Sequence, residues 1–426
     1  MNKKNINLKA GAGKAVLAFP REYFPHENFI DGHDDLHLRI LLLETSLRCA
    51  LISVELPSVR PFELIDGIRS YAGKLLGVDY ENVWFVVTHS MAAPHVPQAV
   101  DAESEKKQEI HLAVIRKSIE EAGKQALESL QMVRFGYGYG FCDINSNRDI
   151  PSAEGWWLGA NAPGPSDKTV SVLRFDTMEG KPLAAVYTYA VKTAIIDDEI
   201  MSDGYRHYTS DLTGWACSQM EKNTGAVTLY FMGAAGDQVP NKVTKYFETD
   251  EKGHLYEVHH GEIGYQWIEE LGTVLGSAVE EVFSEISCSI TETVLQIKNF
   301  SMAFPGQFSI PSELSHSPVK KYDFFRKEDT ILDVSMLTLD KVAMIGVKPE
   351  YTSITGIELR EASPFAQTML VAMVNGGQGY MADYKAYERI TYEGTHSEYA
   401  CGSAEEFVKR MGGVLQQEYA ETVCPE

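Results

Sequence analysis

Residues 38–55 read LRILLLETSLRCALISVE, two apolar runs separated by a short polar turn. The same arrangement recurs at residues 170–192 (VSVLRFDTMEGKPLAAVYTYAVK) and 334–350 (VSMLTLDKVAMIGVKPE). The alternation of side chains and the turn residues predict a β-hairpin for each stretch. Each hairpin is followed by a helix-length segment and then by a further apolar strand, at residues 83–90, 227–237 and 369–380. The sequence therefore predicts three successive hairpin–helix–strand units.

Each of these units ends two strands in polar residues that a core would not favour: Glu55, His89, Lys192, Asp237, Glu350 and Tyr380. If the units pack around a common axis, these side chains converge on one pocket, because a rigid scaffold presents chemistry at its strand ends. Identity between the units is low, so chance recurrence of a common motif is the alternative to triplication. The predicted fold class is α/β, with mixed β-sheets, three units around a central pocket and helices outside.

The composition narrows the classes of partner. The chain has 426 residues and a formal net charge of -22, with its Lys and Arg residues scattered. Nucleic acids and anionic membrane surfaces are bound through basic patches, so neither is expected as a partner. No apolar run has the length of a signal peptide or of a membrane span. We therefore expect one cytoplasmic domain over residues 1–426 that acts on a small molecule without membrane insertion, and the oligomeric state stays open.

Six cysteines lie far apart along the chain without CxxC spacing: Cys49, Cys142, Cys217, Cys288, Cys401 and Cys424. This usage predicts buried or free thiols rather than disulfides or zinc ligands. Amphipathic helices are predicted at residues 103–130 and 263–283. Residues 136–165 are rich in Gly, Asn, Pro and aromatic residues, which predicts an irregular functional loop or lid.

Several residues have side chains that suit catalysis or substrate binding. Asp237, in GAAGD, is either a general base or a turn-forming aspartate, and small residues such as Gly233 before it let a substrate approach the backbone. Arg148 is either a clamp for a carboxylate or phosphate or a member of a surface ion pair. Trp156 and Trp157 suit stacking on a sugar or acyl chain. Neighbours in a strand face opposite sides, so one of the two is expected in the core.

Eight short motifs carry a resemblance to a known family. In chain order, between about residues 8 and 410, they are GAGKAVLAFP, GHDDLHLRILLL, VVTHSMAAPH, NSNRD, VSVLRFDTMEGKPLAAVYTYAVK, FMGAAGDQVPN, VKPEYTSITG and GYMADYKAYERITYEG. Together they resemble the catalytic domain of the neutral/alkaline ceramidases, zinc amidases that cleave the N-acyl bond of ceramide. The resemblance implies the fold of that domain without the family's C-terminal immunoglobulin-like domain.

By position, the resemblance puts the family's zinc ligands on His89, Lys192, Glu350 and Tyr380. Lys192 departs from the family's histidine. Zinc binds neutral imidazole, thiolate or carboxylate readily, whereas a lysine can ligate only after losing its proton. An ammonium beside a dication is also disfavoured by like-charge repulsion. A plain core histidine is the alternative for His89.

Two hypotheses resolve the conflict at Lys192. In the first, Lys192 replaces the metal and its charge pairs with Glu350 and with Glu55. In the second, zinc stays on the other three ligands, with Lys192 turned aside or with His95 or Asp211 as a substitute ligand.

Other motif positions bear on the reaction. The family's nucleophilic serine falls on Gly233, and the second histidine of its turn falls on Met91. Without a hydroxyl at residue 233 the family's attack on the amide cannot proceed in the same way, so ceramide hydrolysis is not expected. The arginine and tyrosine that the family places around the scissile amide are matched by Arg148 and Tyr392.

The first functional hypothesis is a hydrolase of a small polar amide or ester with water as nucleophile. Zinc on His89, Glu350 and Tyr380 would lower the pKa of that water, and Asp237 would accept its proton. The expected substrate contacts are Arg148 and Tyr392 at the reacting group, and Trp156, Trp157, Gly233, His95 and Glu55 along the pocket. The alternatives need no metal. They are a binding protein in which Lys192 anchors an anion, and an enzyme that uses Lys192 as a base or Schiff-base nucleophile.

Overall fold

The computed structural model describes residues 6–423 and confirms the α/β class, with mixed β-sheets between layers of helices. The helices are α1 (Glu63–Leu76), α2 (Ala102–Glu128), α3 (Asp211–Thr224), α4 (Ile263–Glu285), α5 (Ser353–Ala362), α6 (Tyr384–Arg389), α7 (Tyr392–Thr395) and α8 (Ser403–Thr422). The strands are β1 (Ile6–Asn7), β2 (Lys9–Val16), β3 (Phe29–Gly32), β4 (His37–Glu44), β5 (Arg48–Val54), β6 (Val83–Val87), β7 (Gln131–Phe141), β8 (Asn145–Pro151), β9 (Trp156–Asn161), β10 (Thr169–Thr177), β11 (Pro182–Tyr189), β12 (Arg206–Tyr208), β13 (Val227–Met232), β14 (Gln238–Pro240), β15 (Lys245–Thr249), β16 (Leu255–His259), β17 (Glu292–Thr293), β18 (Leu295–Gln307), β19 (Arg326–Leu339), β20 (Val342–Val347), β21 (Glu350–Tyr351), β22 (Gln367–Val371) and β23 (Tyr380–Met381).

The three predicted hairpins are present, and each belongs to a unit of the same topology. In the first unit β4 and β5 are antiparallel, α1 follows, and β6 returns parallel to β5. The second unit repeats this order with β10, β11, α3 and β13. The third repeats it with β19, β20, α5 and β22. In every unit the second and third strands therefore end at the same edge of their sheet.

The units occupy two sheets. The first two units share an eight-stranded sheet with the order β13-β11-β10-β7-β2-β4-β5-β6, and the third forms a four-stranded sheet with the order β18-β19-β20-β22. The larger sheet carries α1, α2, α3 and α4 on one face and the smaller sheet on the other. Helices α5 and α8 contribute to a third core cluster, with the smaller sheet. The chain thus forms four layers in the order helices, sheet, sheet, helices.

The apolar run in β4 is unbroken because both faces of this strand are buried. Ile40 and Leu42 pack into the cluster under the helices, while Leu41 and Leu43 pack into the cluster between the sheets. All four side chains are at most 1% exposed. Strands covered on both faces are typically continuous in apolar residues rather than alternating.

The predicted amphipathic helices are α2 and α4. Helix α2 begins after Asp101, whose side chain accepts a hydrogen bond of 2.8 Å from the amide of Ser104. The expectation of an irregular loop at residues 136–165 is wrong, because this stretch forms most of β7 together with β8 and β9. Its glycines serve packing: a Cβ built on Gly136 would lie 2.5 Å from Ile286, which follows α4. Helix α4 can approach β7 closely because the glycines of β7 have no side chains.

The described cysteines are free thiols, as predicted: Cys49, Cys142 and Cys217 are buried, Cys288 is partly buried and Cys401 is exposed. Cys424 lies outside the described residues. Within residues 6–423, none of the helices combines the length and the apolar character that crossing a bilayer requires.

Candidate functional site

The strand ends of the three units open into one cavity of about 1020 Å³. His89 follows β6 of the first unit, and Lys192 follows β11 of the second. Glu350 follows β20 and Tyr380 follows β22, both of the third unit. All four residues line the cavity. The structure thus brings together four of the six strand-end residues, drawn from all three units.

Glu55 does not face this cavity, and the expected pairing with Lys192 is wrong. Its carboxylate is 1% exposed and lies 2.5 Å from Nη1 of Arg39 in the neighbouring strand of the same hairpin. The amide of His37 donates to the second oxygen over 2.6 Å. A fully buried guanidinium requires carboxylate partners, and both Glu55 and Glu221 lie within hydrogen-bond distance of Arg39.

Asp237 also lies behind the cavity wall rather than in it. Its Oδ1 accepts a hydrogen bond of 2.8 Å from the amide of Ser353, and its Oδ2 accepts one of 2.9 Å from Nδ2 of Asn147. Burial, and then the charge of Glu393, raises the pKa of Asp237 to about 7. The side chain connects the end of the second unit to α5 of the third, which agrees with the structural alternative rather than with a general base in the pocket.

The two tryptophans separate as neighbours in a strand should. Trp157 lies on the cavity wall, is 6% exposed, and contacts Tyr392 and Phe247 edge-on with ring centroids 5.8 and 6.3 Å apart. Trp156 does not line the cavity, and the guanidinium of Arg389 lies 4.6 Å from its ring centroid. Trp157 is therefore available to a substrate, whereas the expected substrate contact of Trp156 is not observed.

Two further expected substrate contacts differ in their location. Gly233 lies outside the main cavity, and a Cβ there would be 3.3 Å from the carbonyl oxygen of Tyr189. It borders a second, much smaller cavity. His95 does line the main cavity, and its Nδ1 lies 3.2 Å from a carboxylate oxygen of Glu27.

A buried ion pair occupies the centre of the site. The Nζ of Lys192 lies 2.9 Å from Oε2 of Glu350 and donates a hydrogen bond of 3.1 Å to the hydroxyl of Tyr380. Lys192 and Glu350 are 4% and 5% exposed. Burial opposes the charge of Glu350, but Lys192 and then His89 hold its pKa well below the ordinary range. Burial, and then Arg148, lowers the pKa of Lys192, while Glu350 opposes this shift. Glu350 is therefore ionised at neutral pH and stabilises the ammonium.

His89 is held in a fixed orientation by unusual backbone geometry. Its φ is +58°, a value that non-glycine residues rarely adopt and that costs on the order of 1–3 kcal/mol. Its Nδ1 lies 2.8 Å from the carbonyl oxygen of Pro57. A carbonyl only accepts, so Nδ1 carries the proton. Its Nε2 lies 3.5 Å from Oε1 of Glu350, which is ion-pair distance when the ring is protonated.

Arg148 lines the cavity but its guanidinium is already engaged. The Nε and Nη2 atoms donate to Oε1 of Glu393 over 2.8 and 2.5 Å, and Nη2 also donates to the hydroxyl of Tyr380 over 3.2 Å. Burial, and then Glu393, raises the pKa of Asp149 well above its usual range, which favours the protonated form of Asp149. Despite burial, Arg148 and the hydrogen bond from Asp149 keep the pKa of Glu393 low. Arg148 thus supports Tyr380 rather than presenting a free clamp.

The donor set does not fit zinc. The ammonium of Lys192 lies within ion-pair distance of the carboxylate that zinc would need, and Glu350 favours the protonated lysine. Within residues 6–423 no group of three or more His, Cys, Asp or Glu side chains is arranged to hold a metal ion.

Neither substitute ligand changes this result. Asp211 is fully buried, and its carboxylate accepts hydrogen bonds from the amides of Ile195 and Ile196 over 3.2 and 3.0 Å. His95 pairs with Glu27.

Two residues that the sequence patterns did not single out also line the cavity. Asp197 has a carboxylate without a hydrogen-bond partner in the described part of the chain, and burial raises its pKa while His89 opposes the shift. His396 stacks on Tyr392 with ring centroids 3.7 Å apart. The signal for Asp197 was its place in the acidic run that closely follows Lys192.

Comparison with solved structures identifies the fold. The crystal structure of neutral ceramidase from Pseudomonas aeruginosa aligns with 99% of this chain and 76% of its own, with a TM-score of 0.70 and 15% identity. A structure described as ceramidase complexed with C2 aligns with 97% of this chain and 76% of its own, with a TM-score of 0.70 and 16% identity. No protein-family model and no curated protein matches the sequence. The chain therefore has the neutral ceramidase fold, which confirms the fold that the motifs implied.

Proposed function

We propose that this protein is a hydrolase of a small polar amide or ester, in which the ammonium of Lys192 acts where the ceramidase resemblance places zinc. The observation that supports this proposal most directly is the buried ion pair on the wall of a large cavity, where Nζ of Lys192 lies 2.9 Å from Oε2 of Glu350. The similarity to solved ceramidases supports the reaction class through the fold only. No step requires a metal ion.

The proposed oxyanion site consists of Lys192 and Tyr380. An ammonium has three N–H donors, and contacts to Glu350 and Tyr380 leave one for a substrate carbonyl oxygen. The oxygen of Tyr380 accepts from both Lys192 and Arg148, so its own proton remains free to donate. Two cations polarise this O–H bond. Such preorganised donors stabilise the negative charge that develops on the carbonyl oxygen, and each accounts for roughly 10²–10³ in rate.

Water is the proposed nucleophile and His89 the base. The Nε2 electron pair accepts a proton from water as the oxygen attacks the carbonyl carbon. Glu350, 3.5 Å from Nε2, stabilises the imidazolium. When the tetrahedral intermediate collapses, the bond to the leaving nitrogen or oxygen breaks and His89 returns the proton to that atom. The products are a carboxylic acid and an amine or alcohol.

Residues behind the cavity wall position this centre. Arg148 and Glu393 fix the hydroxyl of Tyr380 from behind. Asp237 connects the second and third units, so we assign it a positioning role instead of the proton transfer expected from sequence. Tyr392 and Trp157 form an aromatic wall beside the reacting group.

The ion pair also argues against the Schiff-base alternative. A lysine nucleophile must be neutral. Burial and Arg148 lower the pKa of Lys192, whereas Glu350 at 2.9 Å favours the charged form that the proposed oxyanion site uses. Borohydride reduction in the presence of small aldehydes or ketones should therefore leave the mass of the protein unchanged. A mass increase that is lost in Lys192→Met would instead identify the lysine-dependent enzyme.

The main test is turnover of p-nitrophenyl esters and N-acyl p-nitroanilides by protein pretreated with a chelator. We expect hydrolysis that survives chelation and falls roughly 10²–10³-fold in Lys192→Met. Lys242→Met is the matched control, because Lys242 is a surface residue paired with Glu270. Loss of turnover on chelation, or full activity in Lys192→Met, would refute the proposal. Absence of turnover despite tight substrate binding would favour the binding-protein alternative.

A further inference from the structure

The same cavity has a second polar surface beside the ion pair, where the carbonyl of Gly379 accepts a hydrogen bond of 2.9 Å from the amide of Glu350. It is formed by the segment after β5, through Ser58 and Arg60, and by the segment after β22, through Gly377 and Gly379. The two segments touch, since a Cβ built on Gly376 would lie 3.3 Å from the ring of Phe62. We call this surface the Arg60–glycine surface.

Arg60 differs from the other cations on the cavity wall. Lys192 pairs with Glu350, and Arg148 pairs with Glu393. Lys245 lies 3.3 Å from a carboxylate oxygen of Asp198. Arg60 is exposed and has no ion-pair partner in residues 6–423, and its guanidinium lies 5.6 Å from the centroid of the Phe62 ring. It is the cation on the wall whose charge is left for a ligand.

The glycine-rich turn adds backbone donors to this cation. In the described part of the chain, the amides of Gly376, Gly377 and Gln378 have no hydrogen-bond acceptor, and Gly377 among these three lines the cavity. The turn is held by Asn375, whose amide donates to the carbonyl of Phe85 over 2.8 Å and whose Oδ1 accepts from the amide of Phe85 over 2.9 Å. Asn375 and Gly376 have φ values of +57° and +141°. Successive amides in turns of this kind form anion-binding concavities.

We propose that the Arg60–glycine surface binds an anionic group of the substrate, a carboxylate or a phosphate. This inference rests on the proposed hydrolase and extends it, because it places the anion on the same cavity as Lys192 and His89. A guanidinium with several amide donors is a suitable site for a multidentate oxyanion. The substrate class is then an acylated amino acid or an acylated phosphate-bearing amine or alcohol.

The test compares probes that differ only in charge. N-butanoylglycine carries a carboxylate, and N-butanoylglycinamide is its neutral counterpart. Calorimetry on the full chain should show the acid binding at least about tenfold more tightly than the amide, with the difference shrinking as salt is raised. Competition by inorganic phosphate and by acetate then separates the two sources, because the stronger competitor identifies the group that the surface prefers.

Variants assign the effect to Arg60. Arg60→Gln should lower affinity for the acid about tenfold and leave the amide unaffected, and Arg60→Lys should recover part of the loss. Arg21→Gln is the matched control, because Arg21 is exposed, lies outside the cavity and has no ion-pair partner in residues 6–423.

Three results would overturn the inference: equal affinity of the wild type for acid and amide, no binding of either, or unchanged acid binding in Arg60→Gln. Hydrolysis of neutral esters with no preference for anions would overturn it while leaving the proposed hydrolase intact. Charge-selective binding without turnover would support the anion-binding surface and refute the proposed hydrolase.

Discussion

The ammonium of Lys192 and the carboxylate of Glu350 lie 2.9 Å apart, at the position where a resemblance to zinc amidases places the metal. Both groups are buried, and each is the nearest charge that compensates the other. The same two residues thus connect the stability of the fold with the proposed chemistry, and the two effects are separable by substitution.

Removing only the ammonium should destabilise the protein. Lys192→Met leaves the carboxylate of Glu350 buried, and we expect a loss of about 3–5 kcal/mol in the free energy of unfolding, from urea denaturation. Lys192→Met combined with Glu350→Gln removes both charges and should recover most of the loss. If the double variant is no more stable than Lys192→Met, the pair does not carry the stability assigned to it.

Lys192→His should create a zinc site. The new imidazole would join His89, Glu350 and Tyr380, which restores the ligand set implied by the family resemblance. Zinc should raise the melting temperature of this variant by mass action and change that of the wild type little. Tight zinc binding by the wild type in calorimetry, with the variant no better, would show that Lys192 does not replace the metal.

Ceramide should not be a substrate. Gly233 stands where the resemblance puts the nucleophilic serine, and it lies outside the cavity that contains Lys192. We expect no release of fatty acid from short-chain ceramide, with a neutral ceramidase assayed in parallel as the positive control. Release that is abolished by Tyr392→Phe would contradict this prediction.

The buried carboxyl of Asp237 should make stability fall as pH rises. Its pKa is about 7 in the fold and 3.8 in the reference state, so between these values the folded chain holds more protons than the unfolded one. The contribution is favourable at low pH and is lost as pH rises to about 7. Asp237→Asn should flatten this part of the profile of melting temperature against pH. Asp323→Asn, at an exposed aspartate, should leave the slope unchanged.

The two acidic residues beside Arg148 should respond differently to neutral replacements. Glu393→Gln removes the charge that compensates a buried guanidinium and should cost roughly 3–5 kcal/mol. Asp149→Asn should cost about 1 kcal/mol, because the protonated form of Asp149 is favoured and an amide can donate in its place. Urea midpoints of both variants measure this, and equal losses would refute the assigned protonation.

The units were predictable because their pattern is local. The run at residues 40–43 marks a strand buried on both faces, and the rule that strand ends carry chemistry located His89, Lys192, Glu350 and Tyr380 on one cavity.

The sequence predictions that differ from the structure do so because of contacts between residues far apart in the chain. Glu55 obeys the same strand-end rule, but Arg39 on the facing strand draws it into the core, and a pairing of this kind has no local signature. Residues 136–165 form strands in spite of their glycines, because Gly136 allows the close approach of the segment that follows α4. Asp197 lies on a loop rather than at a strand end, so the strand-end rule does not point to it.

The four-layer arrangement divides the residues of the site between two sheets. Lys192 and His89 follow strands of the eight-stranded sheet, whereas Glu350 and Tyr380 follow strands of the four-stranded sheet. Each contact between these two pairs therefore crosses from one sheet to the other. A small displacement of one sheet relative to the other would separate the ammonium from its carboxylate and leave the strand pairing within each sheet intact. Activity should then decline on heating before the circular dichroism signal of the strands changes, because the reaction depends on the alignment of the two sheets.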